Sequence, residues 1–319
     1  MLTKFYMTPD FFSSDCFSSD ISKSCHKNFL ELWQKYGVLV FCEEKFRDLP
    51  LLVSSMDQKY RKQWEAAFQY YSRKCVAKDM LVDSEDFEKL KNSNGKHYST
   101  RFVGDAEGII VCGENMTKHD SSSMYEVVSA SVFSESVNFE NSKGLALQDI
   151  SGCSINYFWE SYLSVAAEIS NRIVIVDPYF IKNIIDGGAK VVLVDLLNKL
   201  GVTGDKYIFE IYSRFEVDGI SYESAIRKFA NDISKRSPLY GLSKLSFYGC
   251  KIELFSSGAI AHDRYIRVGD YVFQIGVGMK LFESNTDCET SFSVKCKDQS
   301  KCVAKERKLK SNRKWTVEI

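Results

Sequence analysis

Residues 171–180 read NRIVIVDPYF. Ile173, Val174, Ile175 and Val176 are four consecutive β-branched apolar residues, so both alternating faces of the segment are apolar. Such a run predicts a strand buried on both sides, as in a sheet covered by helices. Asp177-Pro178 ends it in turn chemistry. Working upstream, Ser154 stands where it can cap a helix over 155–169, with Ile155, Phe158, Trp159, Tyr162, Ala166 and Ile169 as its apolar stripe. Downstream, a Leu/Val-rich helix over 189–200 stops at Gly201, and KYIFEIYSRF at 206–215 is the next strand. Residues 222–235 form a helix with Ala225, Ile226, Phe229, Ala230 and Ile233 inward. CKIELF at 250–255 reads as a further strand, and AHDRYIRVGDYVFQIG at 261–276 as strand, Gly-Asp hairpin turn and strand. This half is therefore expected to be a mixed sheet with helices on its faces.

The first half carries a weaker version of the same pattern. Residues 27–36 are helical and lead into the strand GVLVFC at 37–42. Residues 57–74 form an amphipathic helix with Asp57 as N-cap and Tyr60, Trp64, Ala67, Phe68 and Tyr71 on one face. GIIVCG at 108–113 and the run from Met124 to Phe133 are strand candidates, and KNSNGKHYS at 91–99 is a polar loop. Strands alternating with helices predict a small α/β domain. The polar stretch from Ser134 to Gly152 is read as the boundary. The chain is thus expected to comprise an N-terminal α/β domain over 1–150, a second α/β domain over 151–294 and a basic tail over 295–319. Two domains also suit 319 residues.

Apolar residues make up 45% and charged residues 26%, which fits globular cores and excludes a disordered chain. No uncharged apolar run is long enough for a bilayer span. MLTKFYMTPDFF lacks the apolar core and cleavage site of a signal peptide. The ten cysteines are scattered without a CxxC pair, which predicts reduced thiols in a cytoplasmic protein. The nearest grouping, Cys288, Cys296 and Cys302, has no histidine beside it and makes a poor zinc site. Net charge is zero, yet Lys295 to Lys314 holds nine Lys/Arg against Asp298 and Glu306. The run reads as a solvated tail or, more sharply, as an arm for nucleic acid or acidic lipid.

Two sets of residues could carry chemistry. In the first half, Asp10, Glu43 or Glu44, Asp79 and Glu114 each follow or approach the end of a strand candidate. Carboxylates gathered at one edge of a parallel sheet can hold Mg²⁺ for phosphodiester hydrolysis, a layout resembling a PIN-type nuclease. Acids are also the commonest loop residues, and that reading stands beside it. P-loop, GxGxxG, GxSxG and HExxH motifs are absent from the sequence. In the second half, Asp177 ends a core strand, where open α/β sheets place ligand sites. The stretch from His262 through Arg264 to Asp270 reads HDRYIRVGD.

That stretch resembles the HxK motif of the phospholipase D superfamily, usually followed by four residues and an Asp. Together with IVIVDPYF, the segment HDRYIRVGDYVFQIGVGMKLF is similar to a subgroup of that superfamily. The subgroup includes the phospholipase D-like domain that follows MIT domains in eukaryotic membrane-remodelling proteins, and HDR-type domains of bacterial mobile-element or defence neighbourhoods. The resemblance spans roughly residues 150–285. It implies a histidine nucleophile, His262, that forms a phosphoenzyme without a metal cofactor, while Arg264 grips phosphate and Asp270 completes the motif. Asp177 is expected to face the same cleft as a phosphate-site residue. The sequence departs from the pattern in three places. Gly269 stands where the Asp belongs, QIGVG replaces the usual small-polar pattern after it, and His26, His97 and His119 supply no second motif. A homodimer could supply the second histidine across a two-fold axis. His262 and Arg264 as structural residues, as ligand binders or as catalysts all remain open at this point. The resemblance implies a nucleic-acid-handling protein, with a phosphodiester-binding or nuclease domain, of a bacterial defence or mobile-element system. A non-enzymatic module for a partner protein or acidic lipid is the alternative.

Overall fold

The computed structural model describes residues 2–7, 11–17, 22–43, 51, 53–76, 108–112, 125–202, 206–217, 219–236, 241–255, 264–283 and 289–319. The fold is α/β, and the chain divides into two compact units, Met1–Leu145 and Ala146–Ile319. No described helix is long and apolar enough to cross a membrane.

The first unit holds a five-stranded sheet. Its strands are β1 (Thr3–Met7), β2 (Gly37–Phe41), β3 (Arg73–Cys75), β4 (Gly108–Cys112) and β5 (Tyr125–Ser129). Their order is β3-β2-β1-β4-β5 and every pairing is parallel. Parallel neighbours need crossovers, and helix α1 (Ser22–Tyr36) joins β1 to β2 while α2 (Gln58–Tyr70) lies between β2 and β3. Asp57 caps α2 as expected, accepting the Lys59 N–H at 2.8 Å. Phe5, Phe29, Trp33, Trp64 and Phe133 form an aromatic core. The strand expected up to Phe133 stops at Ser129, and Ala130–Glu135 turns into a 3-10 helix that feeds α3 (Val137–Ala146). Buried Glu126 explains the turn, because its carboxylate accepts the Ser136 hydroxyl and the N–H groups of Val137 and Asn138 at the start of α3.

The second unit opens with a helical run capped by Ser154. It consists of α4 (Ile155–Phe158), a π-helical segment (Trp159–Leu163) and α5 (Ser164–Glu168). Its sheet is assembled from β6 (Arg172–Val176), β7 (Tyr207–Arg214), β10 (Leu242–Cys250), β11 (Tyr265–Val268), β12 (Tyr271–Ile275), β13 (Phe292–Cys296) and β14 (Arg313–Glu318). A separate two-stranded ribbon, β8 (Glu216–Val217) with β9 (Ile220–Ser221), follows β7. The sheet order is β13-β12-β11-β6-β7-β10-β14. β6, β7 and β10 are parallel, whereas β11, β12, β13 and β14 pair antiparallel with their neighbours. Helices α6 (Phe180–Ile185), α7 (Lys190–Val202) and α8 (Glu223–Arg236) follow β6 and β7.

CKIELF was expected to be a strand. Instead β10 ends at Cys250, and Ile252–Leu254 is a 3-10 helix. A second correction concerns residues 295–319, expected as a solvated basic tail. They form the end of β13, the short α9 (Lys297–Ser300), α10 (Cys302–Ser311) and the edge strand β14. The charge run hides two apolar periodicities. Cys302 and Leu309 recur on one face of α10, and Trp315 and Val317 alternate inward from β14. Burying side chains such as Leu309 and Val317 contributes roughly 1.5–3 kcal/mol each. Gly249 of β10 makes room for this edge, since a Cβ there would meet the Trp315 ring at 2.2 Å.

Candidate functional site

β6 and β7 run parallel and β11 runs against them, so the C-terminal ends of the first two and the start of the third share one sheet edge. Val176 stands opposite both Tyr265 and Tyr212. That register brings together Asp177, Arg214 and Arg264, the residues just past β6, at the end of β7 and just ahead of β11. Both arginines approach the Tyr179 ring. The Arg264 guanidinium carbon is 5.3 Å from its ring centroid and that of Arg214 is 5.4 Å away. Both are cation–π distances.

The supports of these groups differ. Arg264 donates one Nη1 hydrogen bond to the Val277 carbonyl at 2.7 Å. Its other guanidinium nitrogens have no partner among the described residues. The Arg214 Nε is buried and likewise unpartnered among them. Such a donor is costly to leave unmet, and an anion would satisfy it. Asp177 is only 3% exposed. Its Oδ1 accepts the Tyr179 N–H at 2.9 Å and its Oδ2 the Met279 N–H at 2.8 Å. Burial pushes the Asp177 carboxyl above its usual range, and the two backbone N–H groups and the Arg264 charge only partly offset this. Gly278, at φ +69°, closes the back of the site. A Cβ there would meet Asp177 Oδ2 at 2.1 Å and Arg264 Cδ at 2.6 Å. Asp177, expected from the sequence as a phosphate-site residue, is thus buried with both carboxylate oxygens held by backbone N–H groups.

Asp270 does not join Arg264. It sits in the β11–β12 turn, beyond a four-residue strand spanning about 13 Å. There it accepts the Lys297 backbone N–H at 2.8 Å and the Lys297 ammonium at 2.6 Å. The sequence expected Asp270 to complete the motif; in the structure it fastens the β11–β12 turn to Lys297, a strand's length from Arg264. His262 lies outside the described residues, as do Asp10, Glu44, Asp79, Glu114 and Cys288. Glu43, just past β2, is exposed. Among the described residues no group of three or more His, Cys, Asp or Glu could hold a metal ion.

Arg214 and Tyr179 were missed in the sequence. The signal was available, because both stand at or just beyond the C-terminal ends of apolar strands, by the same rule that singled out Asp177. Chemically, two guanidiniums braced on one tyrosine can hold the non-bridging oxygens of a phosphate ester through charge-assisted hydrogen bonds. No protein-family model and no curated protein matches the chain.

Proposed function

We propose that the second unit is a phosphodiester-binding domain of the phospholipase D-like kind, and that the protein handles nucleic acid in a bacterial defence or mobile-element setting. The observation that carries the binding role is the convergence of Arg214 and Arg264 on Tyr179, with a buried Arg214 donor left unmet among the described residues. The biological setting rests on the resemblance of residues 150–285 alone. In this reading Arg264 and Arg214 hold the non-bridging oxygens, Asp177 and Gly278 keep Arg264 in place, and turnover depends on His262 as nucleophile. Turnover further requires a second histidine, which a homodimer would supply.

The test is purified protein against labelled single- and double-stranded DNA and RNA, with EDTA or with Mn²⁺. It is run beside His262→Ala, Arg214→Ala and Arg264→Ala, with melting temperature as the check on folding. Salt-sensitive binding is expected. Each arginine variant should lose about 10–100-fold, the worth of a charge-assisted hydrogen bond. Cleavage in EDTA that vanishes in His262→Ala would extend the role to a nuclease. Cleavage only with Mn²⁺, indifferent to all three variants, would move the activity to the first unit. Neither binding nor cleavage would leave the module for a partner protein or acidic lipid as the account.

A further inference from the structure

The face of the second sheet under α10 carries an unusual amount of buried charge. Side chains alternate along a strand, so Arg172, Glu210, Tyr212 and Arg267 share this face. Glu210 is 2% exposed and accepts Arg172 Nη2 at 2.5 Å, Lys310 Nζ at 2.8 Å and the Tyr248 hydroxyl at 3.2 Å. Burial pushes its carboxyl up, but the hydrogen bonds from Lys310 and Arg172 outweigh that and hold it below the ordinary range. Beside it, Arg267 grips Glu306 of α10 through Nε at 2.7 Å and Nη2 at 2.6 Å.

A cleft of about 580 Å³ opens over these groups, between the sheet and α9–α10. Its cations are Arg172, Arg267, Lys297, Arg307 and Lys310, and the acids lining it are Asp270, Asp298 and Glu306. Two of those acids are neutralised one to one, Glu306 by Arg267 and Asp270 by Lys297. The buried Glu210 is shared by two cations, Arg172 and Lys310, which leaves one positive charge in excess. Arg172 Nη1 and the Arg307 side chain have no hydrogen-bond partner among the described residues. Both flanking cations of Glu210 keep nearly half of their side-chain surface exposed. The cleft is therefore floored by satisfied ion pairs and walled by cations with donors to spare, beside Asp298, which has no ion-pair partner among the described residues.

We propose that this cleft binds a small phosphate-bearing molecule of the nucleoside polyphosphate size class, with Arg172, Lys310 and Arg307 as the phosphate contacts. The volume lies within the range of about 300–1,000 Å³ typical of small-molecule sites. It is also separate from the Arg264 edge. Arg264 precedes β11, whereas Arg267, Gly269 and Asp270 mark the cleft at the far end of that strand, and Arg264 and Arg267 project to opposite faces. The proposal stands independently of the function assigned to that edge.

The experiment is calorimetric titration of the full chain with pyrophosphate and with ATP, without metal, at low and high salt. The variants are Arg307→Glu, Arg172→Gln and Arg264→Ala. Arg307 is exposed, so its variant should fold normally; Arg172→Gln is read alongside its melting temperature. Saturable binding that weakens with salt is expected and, measured in the Arg264→Ala background that removes phosphate binding at the Arg264 edge, it falls about tenfold or more in Arg307→Glu and Arg172→Gln. Absence of binding, or equal affinity with and without Arg307→Glu in that background, would overturn the proposal. Binding of an oligonucleotide but of neither small probe, lost in Arg307→Glu, would overturn it too and assign the cleft to a nucleic-acid backbone.

Discussion

Replacing Glu306 by leucine would strand the Arg267 guanidinium beneath α10. The pair is 6% and 4% exposed, with two N–H···O contacts of 2.7 and 2.6 Å. Arg267 has one other acceptor, the Gly269 carbonyl at 2.7 Å, so the charge would remain buried and largely uncompensated. Breaking a buried pair on one side typically costs about 3–5 kcal/mol. For a unit of this size each kcal/mol moves the melting temperature by about 2–4 °C, so the second unit should melt about 6–20 °C lower. The double variant Arg267→Met with Glu306→Leu removes both charges and should recover most of that loss. Thermal and urea unfolding followed by circular dichroism would measure all three proteins. If Glu306→Leu unfolds within about 0.5 kcal/mol of wild type, as at an ordinary surface position, the pair is not buried and the reasoning fails.

Truncation after Val294 removes α10 and β14 and should abolish the second unit's cooperative melting, whereas a solvated tail would be dispensable. Gly278→Ala forces an alanine to positive φ and displaces Asp177, which together should cost about 2–4 kcal/mol and weaken nucleic-acid binding as Arg264→Ala does. Unchanged stability and binding would refute that packing. Burial pushes the His26 imidazole below its usual 6.5, while its Nδ1 accepts the Trp64 indole N–H at 2.9 Å. A histidine depressed in the folded state adds stability above its unfolded pKa and loses it as pH falls. The first unit's melting temperature should therefore drop below about pH 6.5, and an identical pH slope in His26→Phe would rule His26 out as the cause.

The α/β class and most elements were legible because they depend on local periodicity. NRIVIVDPYF is β6 with its terminating turn, the Asp57 cap is where the spacing placed it, and the Gly-Asp hairpin joins β11 to β12. Local patterns failed where a distant contact decided the outcome. Glu126 ends β5 by capping α3, and the segment after Cys250 leaves the sheet although its composition suits a strand. The charge run over 295–319 drew attention away from the two short apolar periodicities of α10 and β14.

By itself the sequence determined most of the segments that become strands and helices, and it marked Arg264 and Asp177 as residues near strand ends. It could not determine that Arg214, fifty positions away from Arg264, faces the same tyrosine, or that Asp270, only six positions away, does not join it. Those relations follow from strand order and register, which arise from long-range pairing. A β-strand carries nearby residues to opposite ends of a sheet, while parallel neighbours bring distant residues to one edge.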